Sequence, residues 1–106
     1  LSIKRKGKWE TLSSDKQIPL DKWSHLVMTW DGDEIRAYIN GEIKGVSKAQ
    51  PGPIDNVPGG NLQIGRWWSG GPEWWNGSID EIRIYDRALS GEEVKALHDL
   101  EKPKGK

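Results

Sequence analysis

Two tight-turn signals divide the middle of the chain into short segments, and they constrain the fold more than any other feature. Asp31-Gly32 favours a tight turn, and Asn40-Gly41 is the preferred two-residue signal of a β-hairpin. The segments around them alternate between apolar and polar residues, as strands with one buried face do. The pattern therefore predicts an antiparallel meander whose strands are Trp23 to Trp30, Ile35 to Asn40 and Glu42 to Ser47.

Alternation along these strands predicts which side chains face the core. One face carries Leu26, Met28, Trp30, Ile35, Ala37 and Ile39. Arg36 and Tyr38 are expected to point outward from the second strand.

Glycine and proline break the rest of the chain into further short elements. Leu1 to Leu12 is predicted to form a hairpin turned at Gly7, and Gln50 to Gly60, rich in Pro and Gly, a long loop. Leu62 to Arg66, with Leu62 and Ile64 inward, and Ser78 to Tyr85 are predicted to be strands.

One helix is predicted near the end of the chain. Ser90 and Glu93 have the spacing of a capping box, and Leu89 and Val94 that of a hydrophobic staple. The helix should run over about residues 91–100 and dock through Val94, Leu97 and Leu100. These elements predict an all-β antiparallel sandwich domain over residues 1–101, followed by a Lys-rich tail at 102–106.

Composition excludes several classes of function. The 106 residues carry 16 Lys and Arg against 16 Asp and Glu, and this zero net charge gives no support for nucleic-acid binding. No apolar run approaches the length of a membrane span. The sequence has no cysteine, so the domain must be stabilised by core packing or a metal ion rather than by disulfides.

Five segments together resemble one known family. WSHLVMTWDG at 23–32 resembles the W-x-H-V-x-x-T-[YW]-D-G segment of laminin G-like, concanavalin A-like jelly-roll domains, and IRAYINGE at 35–42 is similar to their L-x-L-Y-V-N-G-E hairpin. GPI at 52–54, LQIGR at 62–66 and WNGSIDEIRIYDRALS at 75–90 follow in the family's order. The resemblance covers most of residues 20–100.

The resemblance implies a jelly-roll sandwich in a secreted or cell-surface protein. Family members usually carry further strands ahead of the segments matched here. We therefore expect N-terminal strands of the sandwich to be missing. Because missing strands expose sheet edges and a core face, we expect another chain or an oligomer to complete the sandwich, or the sandwich to be partly rearranged.

Catalysis is not expected. Glucanases with a similar jelly roll use an E-x-D-x-E pattern, which places acids on one face of a strand. Asp80 and Glu81 are adjacent and should point to opposite faces. His25 and His98 lie on separate elements without an evident partner.

Tryptophan content indicates carbohydrate binding. The chain has seven Trp and no Phe, and four Trp lie in the Gly- and Pro-containing loop between Arg66 and Asn76. Trp offers a flat face and an N–H donor, which suit an amphipathic ligand such as a sugar ring. Trp67 and Trp74 are expected to be exposed, Trp68 and Trp75 to close the end of the sandwich, and Trp23 and Trp30 to be core residues. The candidate ligand-binding residues are Arg66, Trp67, Trp68, Trp74, Trp75 and Tyr38.

The resemblance also implies a calcium ion at the edge of the sandwich. Calcium prefers six to eight oxygen ligands, and Asp80 matches the family's acidic position in the closing strand. Asn76 and Asp31 are the other candidate ligands. The alternative is that Asp80 pairs with Arg83 or caps a neighbouring backbone group.

The predicted function is a non-catalytic module that recognises a polysaccharide or glycan. Trp and Arg are also favoured at protein interfaces, so a protein-binding adhesion or assembly module is the alternative. An accessory piece of a glycan-active hydrolase is the third hypothesis.

Overall fold

A computed structural model describes residues 2–5, 7–12, 18–48, 53–55, 64–65 and 74–102. Within these ranges the chain forms five strands and one helix: β1 Ser2–Arg5, β2 Lys8–Thr11, β3 Leu26–Trp30, β4 Glu34–Ile39, β5 Glu42–Lys48 and α1 Gly91–Glu101. No helix of this part of the chain is long and apolar enough to span a membrane. Most of the predicted loop at 50–60 and of the tail at 102–106 lies outside the described residues.

The first two strands form the predicted hairpin. β1 and β2 pair antiparallel, with Arg5 opposite Lys8, and Gly7 makes the turn with φ +77°. Leu12 follows directly and is buried in a cluster with Ile35 of β4, against which Trp30 and Ala37 pack. The end of the hairpin therefore contacts the second sheet.

The predicted meander is confirmed. The second sheet has the order β3-β4-β5, and both pairings are antiparallel. Asn40 and Gly41 have φ of +52° and +81°, the positive pair that a tight hairpin requires. At the other turn, Asp31 Oδ1 accepts hydrogen bonds from the backbone N–H groups of Asp33 and Glu34 at 2.9 and 2.8 Å. The turn chemistry is local, which is why the sequence predicts it.

One face of this sheet is covered only in part. Leu26, Met28 and Trp30 lie opposite Ile39, Ala37 and Ile35, so these side chains share a face. Ile35 is almost fully buried beside Leu12, whereas Leu26 and Met28 remain about half exposed.

Helix α1 packs on the opposite face, which carries Tyr38. Tyr38 is only 5% exposed and lies in a cluster with Leu89 and Val94, to which Val27 and Leu97 add contacts. The prediction that Tyr38 points outward to solvent is therefore wrong. Alternation assigned it correctly to the face opposite Ile35, but a non-local contact, the docked helix, covers that face.

The capping box of α1 is confirmed. Ser90 Oγ accepts the backbone N–H of Glu93 at 3.1 Å, and the Glu93 carboxylate accepts the N–H of Ser90 at 3.0 Å. The helix ends at Glu101, one residue beyond the prediction. Val94 is fully buried and Leu97 packs beside it, but Leu100 is 73% exposed and does not dock as predicted.

The predicted strand at 78–85 does not form. Residues 76–90 make no ladder pairing with another described strand, and Glu81 interrupts the segment with φ +53°. Ile82 and Ile84 are exposed. Their alternation satisfies the sequence pattern of a strand, but a strand also needs a neighbour, and no described strand supplies one.

Two further burial predictions are wrong. Trp23, expected in the core, is about half exposed because it precedes β3 rather than belonging to it. Ile64, expected to face inward, is half exposed and lies in a bend. Leu62 and Arg66, the ends of that predicted strand, lie outside the described residues.

Candidate functional site

Two adjacent tryptophans form an exposed aromatic surface. Trp74 is 63% and Trp75 is 53% exposed. The backbone N–H of Trp75 donates to the carbonyl oxygen of Gly65 at 2.7 Å, which fixes the pair beside residues 64–65. The prediction that Trp75 closes the end of a sandwich is wrong, because more than half of its side chain is open to solvent.

The Trp75 indole is held by its own loop. Its Nε1–H group donates to the carbonyl oxygen of Ser78 at 3.4 Å. Gly77 has φ +154°, and a Cβ there would lie 3.2 Å from Trp75 Nε1. Glycine at position 77 therefore lets the backbone pass close to the ring, so that the ring keeps its other face exposed.

The other predicted ligand-binding residues are not joined to this pair by the described structure. Arg66, Trp67 and Trp68 lie outside the described residues. Tyr38 belongs to the buried cluster beneath α1, and its neighbours are helix residues rather than those of the Trp74–Trp75 loop.

The candidate calcium ligands are engaged in other contacts. Both backbone bonds of Asp31 fall on Oδ1, and Oδ2 accepts from Arg36 Nη1 at 2.7 Å. Asp80 Oδ1 accepts the backbone N–H of Glu81 at 2.8 Å. Asn76 is exposed on the segment after Trp75. Within the described ranges, no three or more His, Cys, Asp and Glu side chains gather closely enough to hold a metal ion by themselves. Asp31 therefore does not fit a calcium ligand.

The alternative for Asp80 is found in one of its two forms: its carboxylate caps the neighbouring backbone N–H of Glu81, and the pairing with Arg83 does not form. Arg83, its expected partner, instead donates from Nε to Glu101 Oε1 at 2.6 Å and lies 3.5 Å from Glu81 Oε2.

A cluster that the sequence did not indicate joins both histidines. The rings of His25 and His98 are 5.7 Å apart, and His25 Nε2 lies 3.9 Å from Glu101 Oε2. His25 Nδ1 and Glu101 Oε2 are buried and make no hydrogen bond to the described part of the chain. Burial lowers the pKa of His25, against the opposing effect of Glu101. No local signal could have predicted this contact, because only the docking of α1 brings the residues together.

A second concave feature lies where the β3–β4 turn meets the start of α1. This cleft, of about 450 Å³, is lined from the sheet by Asp31, Arg36 and Tyr38 and from the helix entry by Leu89, Ser90 and Gly91. The sequence signals close to it are the Asp31-Gly32 turn and the capping box, but no local pattern indicates that the two meet.

The cleft has charged groups at its rim. Backbone bonding to Glu34, together with the Arg36 guanidinium, lowers the pKa of Asp31 to about 2. At the helix end, the bonded guanidinium of Arg87 and the backbone of Ser90 lower the pKa of Glu93 to about 2. Both carboxylates are therefore ionised at neutral pH.

Comparisons with known proteins agree on the family of this chain. A laminin G family model, described as the concanavalin A-like lectin/glucanases superfamily, matches residues 1–95. The chain is 33% identical to the pentraxin-related protein PTX3 of Mus musculus over 106 residues, covering 90% of this chain and 28% of that protein. It is 34% identical over 89 residues to the sushi, von Willebrand factor type A, EGF and pentraxin domain-containing protein 1 of Rattus norvegicus, covering 71% of this chain and 2% of that protein.

A solved structure shares the fold. The crystal structure of an S-layer domain-containing protein from Clostridium thermocellum superposes with a TM-score of 0.64 at 28% identity. The match covers 92% of this chain and 49% of that one. The chain thus spans about a quarter of the pentraxin-related protein and about half of the solved S-layer chain.

Proposed function

Because the chain belongs to the concanavalin A-like lectin/glucanases superfamily, whose fold is a jelly-roll β-sandwich, we propose that it is a non-catalytic module that binds carbohydrate through Trp74 and Trp75. The observation that carries this proposal is the exposure of both indoles, each more than half open to solvent on a loop held by Gly65 and Gly77. Exposed aromatic pairs of this kind are characteristic of binding surfaces.

The chemistry of the pair suits a sugar. One face of a pyranose ring is apolar and can cover an indole, while its hydroxyls remain solvated or bond to polar groups at the rim. The Trp75 N–H group is already used by Ser78, so Trp75 would contribute its flat face rather than its donor. Arg66, Trp67 and Trp68 precede this surface in the sequence, and we include them in the proposed site as its polar and aromatic extension.

A binding role is favoured over catalysis by the acids near the surface. Asp80 and Glu81 are adjacent, and Asp80 bonds to the backbone of Glu81. Within the described residues, neither faces a second carboxylate in the way that glycoside hydrolysis needs. The proposal therefore assigns no catalytic residue, and it includes a role as an accessory module of a glycan-active enzyme.

Titration of the protein with a panel of soluble polysaccharides and glycans, followed by tryptophan fluorescence, tests the proposal. We expect a saturable change that is lost in Trp74→Ala and Trp75→Ala. Trp23→Ala is the matched control, because Trp23 is comparably exposed but lies outside this loop. The absence of a saturable response across the panel, or equal loss in the control, would contradict the proposal.

A second candidate function, protein assembly, is favoured by the half-covered face of the sheet. Leu26 and Met28 are about half exposed there. Monomers rarely expose apolar side chains together in one patch. We propose that a second copy of this chain covers this face. Two such faces are equally apolar, and two chains of zero net charge do not repel each other.

Sedimentation velocity over a range of protein concentrations tests assembly. We expect a dimer that is weakened in the double variant Leu26→Gln/Met28→Gln. Leu100→Gln is the control, because it makes the same kind of change at an exposed helix position. A monomer at every concentration would exclude this second function and leave carbohydrate binding untouched.

We also propose that the module binds a calcium ion. Asp80 and Asn76 are the residues we propose to contribute oxygens to an ion, without Asp31. The midpoints of thermal unfolding with Ca²⁺ and with chelator should then differ in the wild type and coincide in Asp80→Asn.

Secretion or display at the cell surface is proposed from the family, and fractionation of the source cells tests it.

A further inference from the structure

The dipeptide Asn-Gly occurs at two places in the chain, Asn40-Gly41 and Asn76-Gly77. Asparagine before glycine is prone to succinimide formation, because glycine has no side chain to hinder the attack of its backbone nitrogen on the Asn amide carbon. The fold requires both glycines. Gly41 has φ +81° and Gly77 φ +154°, and a Cβ at either position would lie 3.2 Å from a ring nitrogen. The reacting residues are therefore the same at both sites, and their surroundings decide which one reacts.

Hydrogen bonds hold the Asn40 amide in place. Its Oδ1 atom accepts the backbone N–H of His25 at 2.8 Å, and its own backbone N–H donates to the carbonyl oxygen of His25, also at 2.8 Å. Gly41 lies in the turn between β4 and β5 and close to the Lys95 backbone. Ring closure would need the side chain to leave His25 and swing onto the Gly41 nitrogen. Asn40 must therefore open locally before it can react.

Asn76 has no comparable restraint. Asn76, Gly77 and Ser78 are all exposed and belong to no helix or strand. Within the described ranges, neither the Asn76 side chain nor the Gly77 N–H group forms a hydrogen bond. The amide carbon can therefore meet the Gly77 nitrogen by a rotation that breaks no bond in this part of the chain.

We propose that Asn76 is a site of spontaneous deamidation and that the folded chain protects Asn40 from the same reaction. The Gly77 backbone nitrogen forms a bond to the Asn76 amide carbon, its proton passes to the side-chain nitrogen, and ammonia leaves. Water then opens the cyclic imide at either carbonyl and gives aspartate or isoaspartate. Water is the only other reactant, and the inference does not depend on the proposed carbohydrate binding.

The reaction changes the loop that holds Trp75. Isoaspartate adds one carbon atom to the backbone at position 76, inside the span that the bond from Trp75 Nε1–H to the Ser78 carbonyl oxygen closes at 3.4 Å. This bond is already long, so the added atom should break it. Either product also replaces a neutral amide by a carboxylate. Deamidation therefore releases the indole and adds a negative charge beside it.

Incubation of the purified protein in mildly alkaline buffer, followed by tryptic peptide mapping, tests the proposal. Chelator is included so that no bound cation holds the Asn76 amide. Cleavage after Arg and Lys places Asn40 in peptide 37–44 and Asn76 in peptide 67–83, so mass spectrometry reads the two sites separately. Incubation in water enriched in ¹⁸O labels each site that is converted during that time. We expect the label in 67–83 to rise with time, and that in 37–44 to stay at the level of the starting sample.

The same incubation in urea is the matched control. In the unfolded chain both sites should be converted at similar rates, because only the dipeptide then matters. If peptide 67–83 took up label in urea but not in the folded protein, Asn76 would be protected and the proposal would be overturned. Equal uptake by the two peptides in the folded protein would overturn the protection of Asn40 by His25.

A ¹⁵N–¹H NMR spectrum of the aged protein tests the effect on the loop. The indole N–H resonance of Trp75, identified by its loss in Trp75→Phe, should shift in the fraction of molecules that contain isoaspartate. Asn76→Gln is the control, since glutamine closes the corresponding larger ring far more slowly and position 76 is exposed. The resonance should not change with age in that variant. An unchanged resonance in wild-type protein whose Asn76 is converted would show that the reaction does not release the ring.

Discussion

The carboxylate of Glu101, the last residue of α1, lies 3.9 Å from Nε2 of His25, which just precedes β3. Glu101 also accepts from Arg83 at 2.6 Å, so one carboxylate links the helix end, the sheet and the segment between them. His98 faces His25 from the helix. The C-terminal end of α1 is therefore held by ionisable groups, whereas its first half is held by apolar packing.

This contact makes stability depend on pH. Burial lowers the pKa of His25 below its ordinary value of 6.5, and His98 adds to the effect, while Glu101 opposes it. The unfolded chain thus binds the His25 proton more readily than the folded chain. The free energy of unfolding should fall as pH drops below about 6.5 and through the folded pKa, and be restored at higher pH.

Urea denaturation at several pH values between 5 and 8 checks this prediction. In His25→Gln the decrease over that range should be smaller than in the wild type, because the variant has no proton to take up at this position. An equal decrease in both proteins would show that other groups cause the pH dependence.

Among the glycines that the structure describes, Gly41 is predicted to tolerate substitution least. Its φ is +81°, and a Cβ would lie 3.2 Å from His98 Nδ1 and 3.4 Å from the Lys95 backbone. Gly41→Ala should therefore cost the backbone strain of about 1–2 kcal/mol and also displace α1.

Gly7→Ala separates these two effects. Gly7 has nearly the same φ, +77°, but nothing lies within 4 Å of its Cβ position. Gly7→Ala should therefore lower the free energy of unfolding by the backbone strain alone. If chemical denaturation gave equal losses for Gly7→Ala and Gly41→Ala, the close approach of the hairpin to the helix would not contribute to stability.

The helix cap is predicted to contribute measurably. Ser90→Ala removes the acceptor of the Glu93 N–H group and should lower the free energy of unfolding by about 1 kcal/mol. Ser90→Asp keeps an acceptor at the cap and should lose much less. Equal losses for the two variants would mean that the cap bond is replaced by solvent at no cost.

Local chemistry explains what the sequence could predict. The turn at Asn40-Gly41, the hairpin at Gly7 and the cap at Ser90 each depend on residues within a few positions of one another. Their structures follow from backbone preferences and short-range hydrogen bonds. For the same reason the sequence pattern predicts the ends of the meander strands to within about three residues of those observed.

The rest depended on contacts that a linear pattern does not contain. Alternation put Tyr38 opposite Ile35 but could not say that a helix would cover it. The isoleucines of 78–85 alternate as a strand does, yet pairing needs a neighbouring strand. The cluster of His25 and His98, and the cleft beside Tyr38, exist only because α1 docks on the sheet. For the candidate site, the exposure of Trp74 was predicted and that of Trp75 was not.

Docking of α1 through Val94 is the last prediction. Val94 is fully buried in the cluster with Tyr38 and Leu89, and truncation to alanine leaves a cavity that the sheet can close only in part. Val94→Ala should therefore lower the free energy of unfolding by roughly 2 kcal/mol. Leu100→Ala is the matched control, since Leu100 is 73% exposed, and its effect should be close to zero. Guanidinium denaturation followed by circular dichroism compares the two. A loss at Leu100 as large as that at Val94 would mean that the helix packs by its C-terminal end, and that the cleft at its start is less firmly built than the cap and the Tyr38 cluster indicate.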